Sequence, residues 1–215
     1  MKYYNIGNTN EIEVIGFYPQ TERTKGYHVD SVNNILSNSF PDYTPQYGLT
    51  LSPKSIATDI IDRGILDFGM VISQKFKSVL EKFKLPPHRF YPIDVLGSDK
   101  KYFWFHYITN IEKFINYKKT ELEIYNSLPP FEVKEHFFSE SYEHLLSISR
   151  EIVITRGRSI RYKFIQFTTN FPNYDLFEIT GAQYFTLISE QLKDEIINEG
   201  ITGLEIVEYD RINNE

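Results

Sequence analysis

Gly69-Met70-Val71-Ile72-Ser73-Gln74-Lys75-Phe76-Lys77-Ser78-Val79-Leu80-Glu81-Lys82-Phe83-Lys84-Leu85-Pro86-Pro87 is the stretch on which the fold reading turns. An apolar run leads into Ser73, whose hydroxyl suits a helix N-cap because it can accept from an otherwise unpaired N–H of the first turn. Phe76, Val79, Leu80 and Phe83 then recur at i, i+3, i+4 and i+7, the spacing of one apolar helical face. Lys75, Lys77, Lys82 and Lys84 lie mostly off that face, and Pro86-Pro87 stops the helix. Beyond it, Phe90 to Val95 reads as a strand, Gly97-Ser98-Asp99 as a turn, and Lys101 to Ile108 as a second strand. The two strands predict a hairpin.

The same plan recurs near the other end of the chain. Tyr184 to Ile188 leads into Ser189; Leu192, Ile196 and Ile197 supply a helical face; Gly200 suits the left-handed position after a helix; and Thr202-Gly203 turns the chain into a strand, Leu204 to Tyr209. The two stretches align without gaps at a spacing of 116 residues: Ile72-Ser73 with Ile188-Ser189, Phe76-Lys77 with Leu192-Lys193, Leu80 with Ile196, Leu85 with Ile201, and Phe90 with Ile206. Repeated supersecondary units usually pack on a common sheet. The fold class expected is α+β, with mixed, mainly antiparallel sheets and two similar helix–strand units packed on them.

The segments GMVISQKFKSVLEKFKL, RFYPIDV, KYFWFHYITNIEKF and YFTLISEQLKDEIINEGITGLEIVEYD resemble a family of bacterial immunity proteins encoded beside polymorphic toxins. The resemblance covers roughly 60–115 and 176–209, and its motifs are structural. It implies that the chain binds a cognate protein toxin domain and occludes it, and it carries no residue-level site over to this sequence.

The rest of the chain is read from composition and pattern. At 215 residues it fits one domain, expected to span 1–215: a loop-rich part (1–55), the first helix–strand unit with its hairpin (56–115), an acidic middle segment (116–175) and the second unit (176–215). Ile12 to Phe17 alternates like a short strand, and Tyr27, Phe40, Tyr43 and Tyr47 are placed to anchor the surrounding loops. Ile111 to Tyr125 reads as partly helical, Phe131 to Phe138 as a strand, Tyr142 to Ser149 as a short helix and Ile160 to Thr168 as a strand. There is no cysteine, hence no disulfide and no thiolate chemistry. The first residues lack the apolar core of a signal peptide, and no apolar run is long enough to span a membrane. The expectation is a soluble cytoplasmic protein with no membrane partner. A formal net charge of −6 argues against nucleic acid, which calls for a basic excess.

Catalytic signatures are missing from the sequence: it holds neither a Gly-rich phosphate loop nor a serine-nucleophile elbow, and no cofactor is expected. The histidines are His28, His88, His106, His136 and His144. On one continuous helix His136, Glu140 and His144 would share a face and could hold Zn²⁺. Ser139 and Ser141 read as interruptions of that helix, so a solvated acidic face is the alternative and no metal site is assigned. Arg150, Arg156, Arg158, Arg161 and Lys163 form the main basic cluster, read as a phosphate contact or as charges guarding a strand edge. Glu121, Glu123, Glu132, Glu135, Glu140 and Glu143 crowd the middle segment and are the candidate partner-binding residues, suited to steering a basic partner. Trp104 joins them conditionally. Its strand turns Tyr102, Trp104 and His106 to one side and Phe103, Phe105 and Tyr107 to the other; if one side is uncovered it forms an aromatic docking row, and if both are covered all six are core. No residue is assigned a catalytic role. An enzyme using His106 or the His136/His144 pair, or a regulatory interaction module, are the alternatives to the immunity reading.

Overall fold

A computed structural model of the chain describes residues 2–25, 34–64, 66–154 and 157–213. Tyr27, His28 and Arg156 lie outside the described residues. The fold is α+β, with mainly antiparallel pairing. In chain order the strands are β1 (Tyr3–Asn8), β2 (Thr21–Arg23), β3 (Gly48–Leu51), β4 (Ile60–Ile61), β5 (Met70–Ser73), β6 (His88–Leu96), β7 (Tyr102–Tyr107), β8 (Glu121–Asn126), β9 (Val133–Phe138), β10 (Arg158–Gln166), β11 (Leu176–Ile179), β12 (Phe185–Ser189), β13 (Leu204–Tyr209) and β14 (Ile212–Asn213). They form three sheets, of order β2-β3-β6-β7-β5-β4, β11-β12-β1-β13 and β14-β10-β8-β9. The chain divides into two compact units, one of residues 6–109 and 191–206 and the other of 1–5, 110–190 and 207–215.

In the first unit the Ser73-led helix spans Gln74–Leu80, and the Ser73 hydroxyl accepts from the Phe76 amide at 3.2 Å, as its cap position requires. Phe76, Val79 and Leu80 are buried, and Phe83 is half-buried. The helix ends at Leu80, before the prolines, because the Lys82 and Phe83 amides bond the Val79 and Leu80 carbonyls in tighter turns. The hairpin forms as the alternation predicts, with Phe90 opposite Phe105 and Tyr91 opposite Trp104. Leu49, Val71, Tyr91, Ile93 and Trp104 belong to this unit's core. The second repeat helix, Glu190–Asn198, contributes Leu192 and Ile196 to burial, but Ile197 is 61% exposed, so its apolar face is narrower than expected. Gly200, at φ +59, closes that helix as its sequence position implied, with the Ile201 amide bonding the Ile196 carbonyl at 3.1 Å. Tyr47 is buried and Phe40 half-buried, whereas Tyr43 is 45% exposed.

In the second unit Leu122, Leu145, Tyr162, Ile165, Phe177 and Leu187 are core. β8 and β10 pair antiparallel with Arg161 opposite Glu123, and β9 pairs with β8 with His136 opposite Glu123.

One expectation from pattern is corrected and two are narrowed. Ile12–Ile15 is one helical turn, not a strand, because the Gly16 amide folds back onto the Ile12 carbonyl at 2.7 Å. Ile111–Phe114 is a single 3₁₀ turn; Ile115 is already extended and bridges Phe167, and Glu121–Asn126 is a strand, so the partial helix expected there is confined to that turn. Residues 1–55, though rich in loops, contain β1, β2 and β3.

Candidate functional site

The acidic middle segment is built on β8, β9 and β10. Because successive side chains of a strand point to opposite faces, Glu121 and Glu123 share one face of β8, and the cross-strand register brings Arg161, Lys163 and His136 to them. Arg161 Nε donates to Glu123 Oε2 at 2.7 Å, and its guanidinium lies 4.6 Å from the centre of the Tyr125 ring. Lys163 Nζ donates to Glu121 Oε1 at 3.0 Å, and His136 Nδ1 lies 2.8 Å from the same oxygen. The Lys163 hydrogen bond, against a small cost of burial, holds the Glu121 carboxyl below the usual carboxylate range. Glu123 is only 8% exposed. Glu121 and Glu123 are therefore committed to internal ion pairs, and Arg161 and Lys163, read from sequence as a separate basic cluster, are their partners. Arg150 and Arg158 are exposed.

The other four acids lie beyond this network. Glu132 pairs with Lys134 next to it on the surface. Glu135, Glu140 and Glu143 are exposed. They surround β9, which ends its sheet: among the described residues no strand pairs with its far side. Large apolar side chains accompany them, with Leu128 68%, Phe131 52% and Phe138 54% exposed. Phe131 also holds φ at +54, a left-handed backbone that a bulky residue seldom adopts, and such strain is kept where the surroundings or a function demand it.

The remaining candidates separate. His136 lies on β9, Glu140 in the following loop and His144 on the helix Tyr142–Ile154, so the single helical face needed to align them does not exist. The Glu140 amide donates to His144 Nδ1 at 3.2 Å, which ties that histidine to the loop. Among the described residues no three His, Asp or Glu side chains come together as a metal-ligand set. Trp104 is 1% exposed; its Nε1 donates to the Phe68 carbonyl at 3.0 Å and its ring stacks on His106 at 5.2 Å. It is core, covered on both sides, and cannot serve as a surface anchor. His106 is fully buried among Phe40, Phe68 and Trp104, and burial pushes its pKa down.

A polar node that the sequence reading missed lies in the first unit. Asp59 is 3% exposed, and its carboxylate accepts from the Ser73 hydroxyl at 2.9 Å, the Thr202 hydroxyl at 3.0 Å, the Thr202 amide at 3.1 Å and Lys100 Nζ at 3.2 Å. Burial pushes its pKa up, but the bonds from Ser73 and Thr202 and the Lys100 charge outweigh that and hold it below the ordinary value of 3.8. The node lines a pocket of about 370 Å³ together with Gln74, Lys75, Lys101 and Gly200. A carboxylate held ionised by four donors is a poor proton acceptor. The Ser73 oxygen already accepts the Phe76 amide and gives its proton to Asp59, so it is a cap, not an activated nucleophile. The second unit repeats the pair: the Ser189 hydroxyl donates to Asp175 at 2.6 Å and the Ser189 amide to the Asp175 carbonyl at 2.9 Å. The signal for the node was present in the sequence, because Asp59 and Asp175 each precede their serine by 14 residues.

No helix among the described residues is long and apolar enough to cross a membrane. No family model matches the chain, and no curated protein matches it.

Proposed function

We propose that the chain is an immunity-type binding protein of the bacterial cytoplasm that occludes a cognate toxin domain, and that the toxin docks on β9 and its flanking loops. The observation that carries this reading is the open β9 edge, where Leu128, Phe131 and Phe138 are exposed beside Glu132, Glu135, Glu140 and Glu143. An unpaired strand edge offers main-chain hydrogen bonds to an extended partner segment, and exposed aromatics are favoured interface anchors. The acidic rim suits a partner whose matching surface is basic, and it speeds and orients the encounter. Glu121 and Glu123 contribute by stiffening the sheet behind this edge through their ion pairs with Lys163 and Arg161. The Asp59–Ser73 pair supports a structural assignment for the pocket beside it, since the hydroxyl and carboxylate satisfy each other and recur as Asp175–Ser189.

The test is co-expression with the toxin domain encoded by the adjacent reading frame. The wild-type chain is expected to restore growth and to co-purify with the toxin. The variants Phe138→Asp and Glu135→Lys/Glu140→Lys/Glu143→Lys are expected to lose both while remaining folded. Full protection by both variants would overturn the assignment of the surface, and absence of rescue and of a complex with the wild-type chain would overturn the immunity reading.

A further inference from the structure

We infer that the chain is a tandem duplication of one six-stranded plan, in which each copy has given its first strand to the other copy's sheet. This goes beyond the partner-binding reading and does not depend on it.

The repeat visible in the sequence begins at the helix, but the structure extends it in both directions. At the 116-residue spacing, Ile60↔Ile72 and Ile61↔Val71 in the first copy match Leu176↔Ile188 and Phe177↔Leu187 in the second, pair for pair. The Ser73 amide bonds the Asp59 carbonyl at 2.8 Å where the Ser189 amide bonds the Asp175 carbonyl at 2.9 Å. Downstream, β6 spans 88–96, and the same spacing maps it onto 204–212, the combined reach of β13 and β14. β3 runs parallel to β6, with Leu49 opposite Val95; β10 runs parallel to β14, with Ile165 opposite Ile212, a slip of one residue. β2 is antiparallel to β3 as β8 is to β10.

One strand in each sheet breaks the order. In the first copy's sheet β7 lies between β5 and β6; in the equivalent place, between β12 and β13, lies β1. The local bonds confirm the equivalence. The Gln74 amide donates to the Lys101 carbonyl at 2.9 Å, and the Glu190 amide to the Lys2 carbonyl at 3.2 Å. The Ile108 amide donates to the Pro87 carbonyl at 2.9 Å, and the Thr9 amide to the Gly203 carbonyl at 3.1 Å. Tyr102 is buried and its pKa is pushed up to about 12, by burial first and by the Asp59 charge; Tyr3 is buried and pushed up to about 12, by burial first and by the Asp175 charge. The sequences agree where the geometry does: Lys2-Tyr3-Tyr4 against Lys101-Tyr102-Phe103, and the helical turn at Ile12-Glu13 against that at Ile111-Glu112.

The sheet order β2-β3-β6-β7-β5-β4 is thus rebuilt in the second copy as β8-β10-β14 and then β13-β1-β12-β11. The strand at the head of residues 2–96 completes the sheet of the second copy, and the strand at the head of residues 101–213 completes that of the first. Neither half of the sequence carries all six strands of its own sheet. The segment between β8 and β10, with β9 and the helix Tyr142–Ile154, lies outside the shared plan.

The test uses the full chain, whose lack of cysteine makes engineered pairs unambiguous. The backbone hydrogen bonds from Gln74 to Lys101 (2.9 Å) and from Glu190 to Lys2 (3.2 Å) bring each pair of backbones close enough to try an engineered disulfide. The pairs Gln74→Cys/Lys101→Cys and Lys2→Cys/Glu190→Cys are each introduced, with a protease site inserted between Ser98 and Asp99. After oxidation and cleavage, both pairs are expected to hold the two fragments as one band on a non-reducing gel, and the uncrosslinked nicked protein is expected to elute as an undivided particle. An unexchanged duplication would instead close Lys2→Cys/Gln74→Cys and Lys101→Cys/Glu190→Cys, neither of which joins the fragments. That outcome, or failure of the Lys2/Glu190 pair where the Gln74/Lys101 pair closes, would overturn the exchange.

Discussion

Replacing Asp59 with alanine is expected to destabilise the first unit by about 3–5 kcal/mol, the range for removing one partner of a buried, charged network. The carboxylate accepts four hydrogen bonds between 2.9 and 3.2 Å. Bonds to a charged group are worth about 1.5–3 kcal/mol each when buried, and a donor left without its acceptor costs about 1–3 kcal/mol. Lys100 is 42% exposed and can turn to water, so its share falls to the surface value of about 0–1 kcal/mol. Ser73 and Thr202 share one acceptor, so their losses do not add. Asp59→Ala should lower the urea midpoint without changing the m-value. Ser73→Ala should cost about 1–2 kcal/mol, as a lost cap does. The cap bond to the Phe76 amide does not involve Asp59, so that part should persist in the Asp59→Ala background and only the part due to the Ser73–Asp59 bond should vanish. The pH dependence has a definite sign. The folded pKa of Asp59 lies below the unfolded value of 3.8, so its contribution is present above 3.8 and is lost as pH falls through the folded value. The variant should therefore lose less stability than wild type on acidification below that point. A cost under about 1 kcal/mol for Asp59→Ala, against the range expected for a buried network, would refute the reasoning.

Three more predictions concern other parts of the fold. His106, fully buried with its pKa pushed down chiefly by burial, should take up a proton less readily in the folded state than in the unfolded chain, which protonates below 6.5; stability should fall as pH drops below that value, and His106→Leu should flatten this limb in urea titrations at pH 5 and 7.5. Trp104→Phe should be tolerated better than Trp104→Ala, which should cost about 3–5 kcal/mol; the fluorescence of this single tryptophan should be blue-shifted and resist acrylamide quenching until the chain unfolds. Gly203→Ala should be more damaging than its size suggests, by about 2 kcal/mol or more in thermal or urea unfolding, because the backbone sits at φ +89 and a Cβ there would lie 2.3 Å from the Ile60 carbonyl oxygen.

The parts of the fold that the sequence made legible are those governed by local rules. Ser73 as a cap, the Phe76/Val79/Leu80 face, the Gly97–Asp99 turn and the alternation of Lys101–Ile108 need only nearest neighbours to be read. β1 escaped because Asn5, Gly7 and Asn8 are poor strand formers, and the residues reach a strand conformation by insertion between β12 and β13. β8 escaped for a related reason: its alternation of Glu121, Leu122, Glu123 and Ile124 is clear only once a second strand fixes which face is dry. The candidate site suffered most. Glu123 and Arg161 are 38 residues apart, and nothing local says that register will set them opposite each other and cancel their charges. Leu128, Phe131 and Phe138 look like core from composition, and become a surface feature only because β9 ends its sheet. The Asp59 and Asp175 spacing was legible, and only the alignment's start at the helix hid it.

Hydrogen exchange on the complex with the neighbouring toxin domain tests the central claim most directly. The account predicts that binding slows exchange of the β9 amides and the loops on either side, around Leu128–Phe131 and Glu140–Glu143, and leaves the six-stranded sheet β2-β3-β6-β7-β5-β4 at its free rates. Protection confined to that sheet, with β9 exchanging as fast as in the free chain, would contradict it.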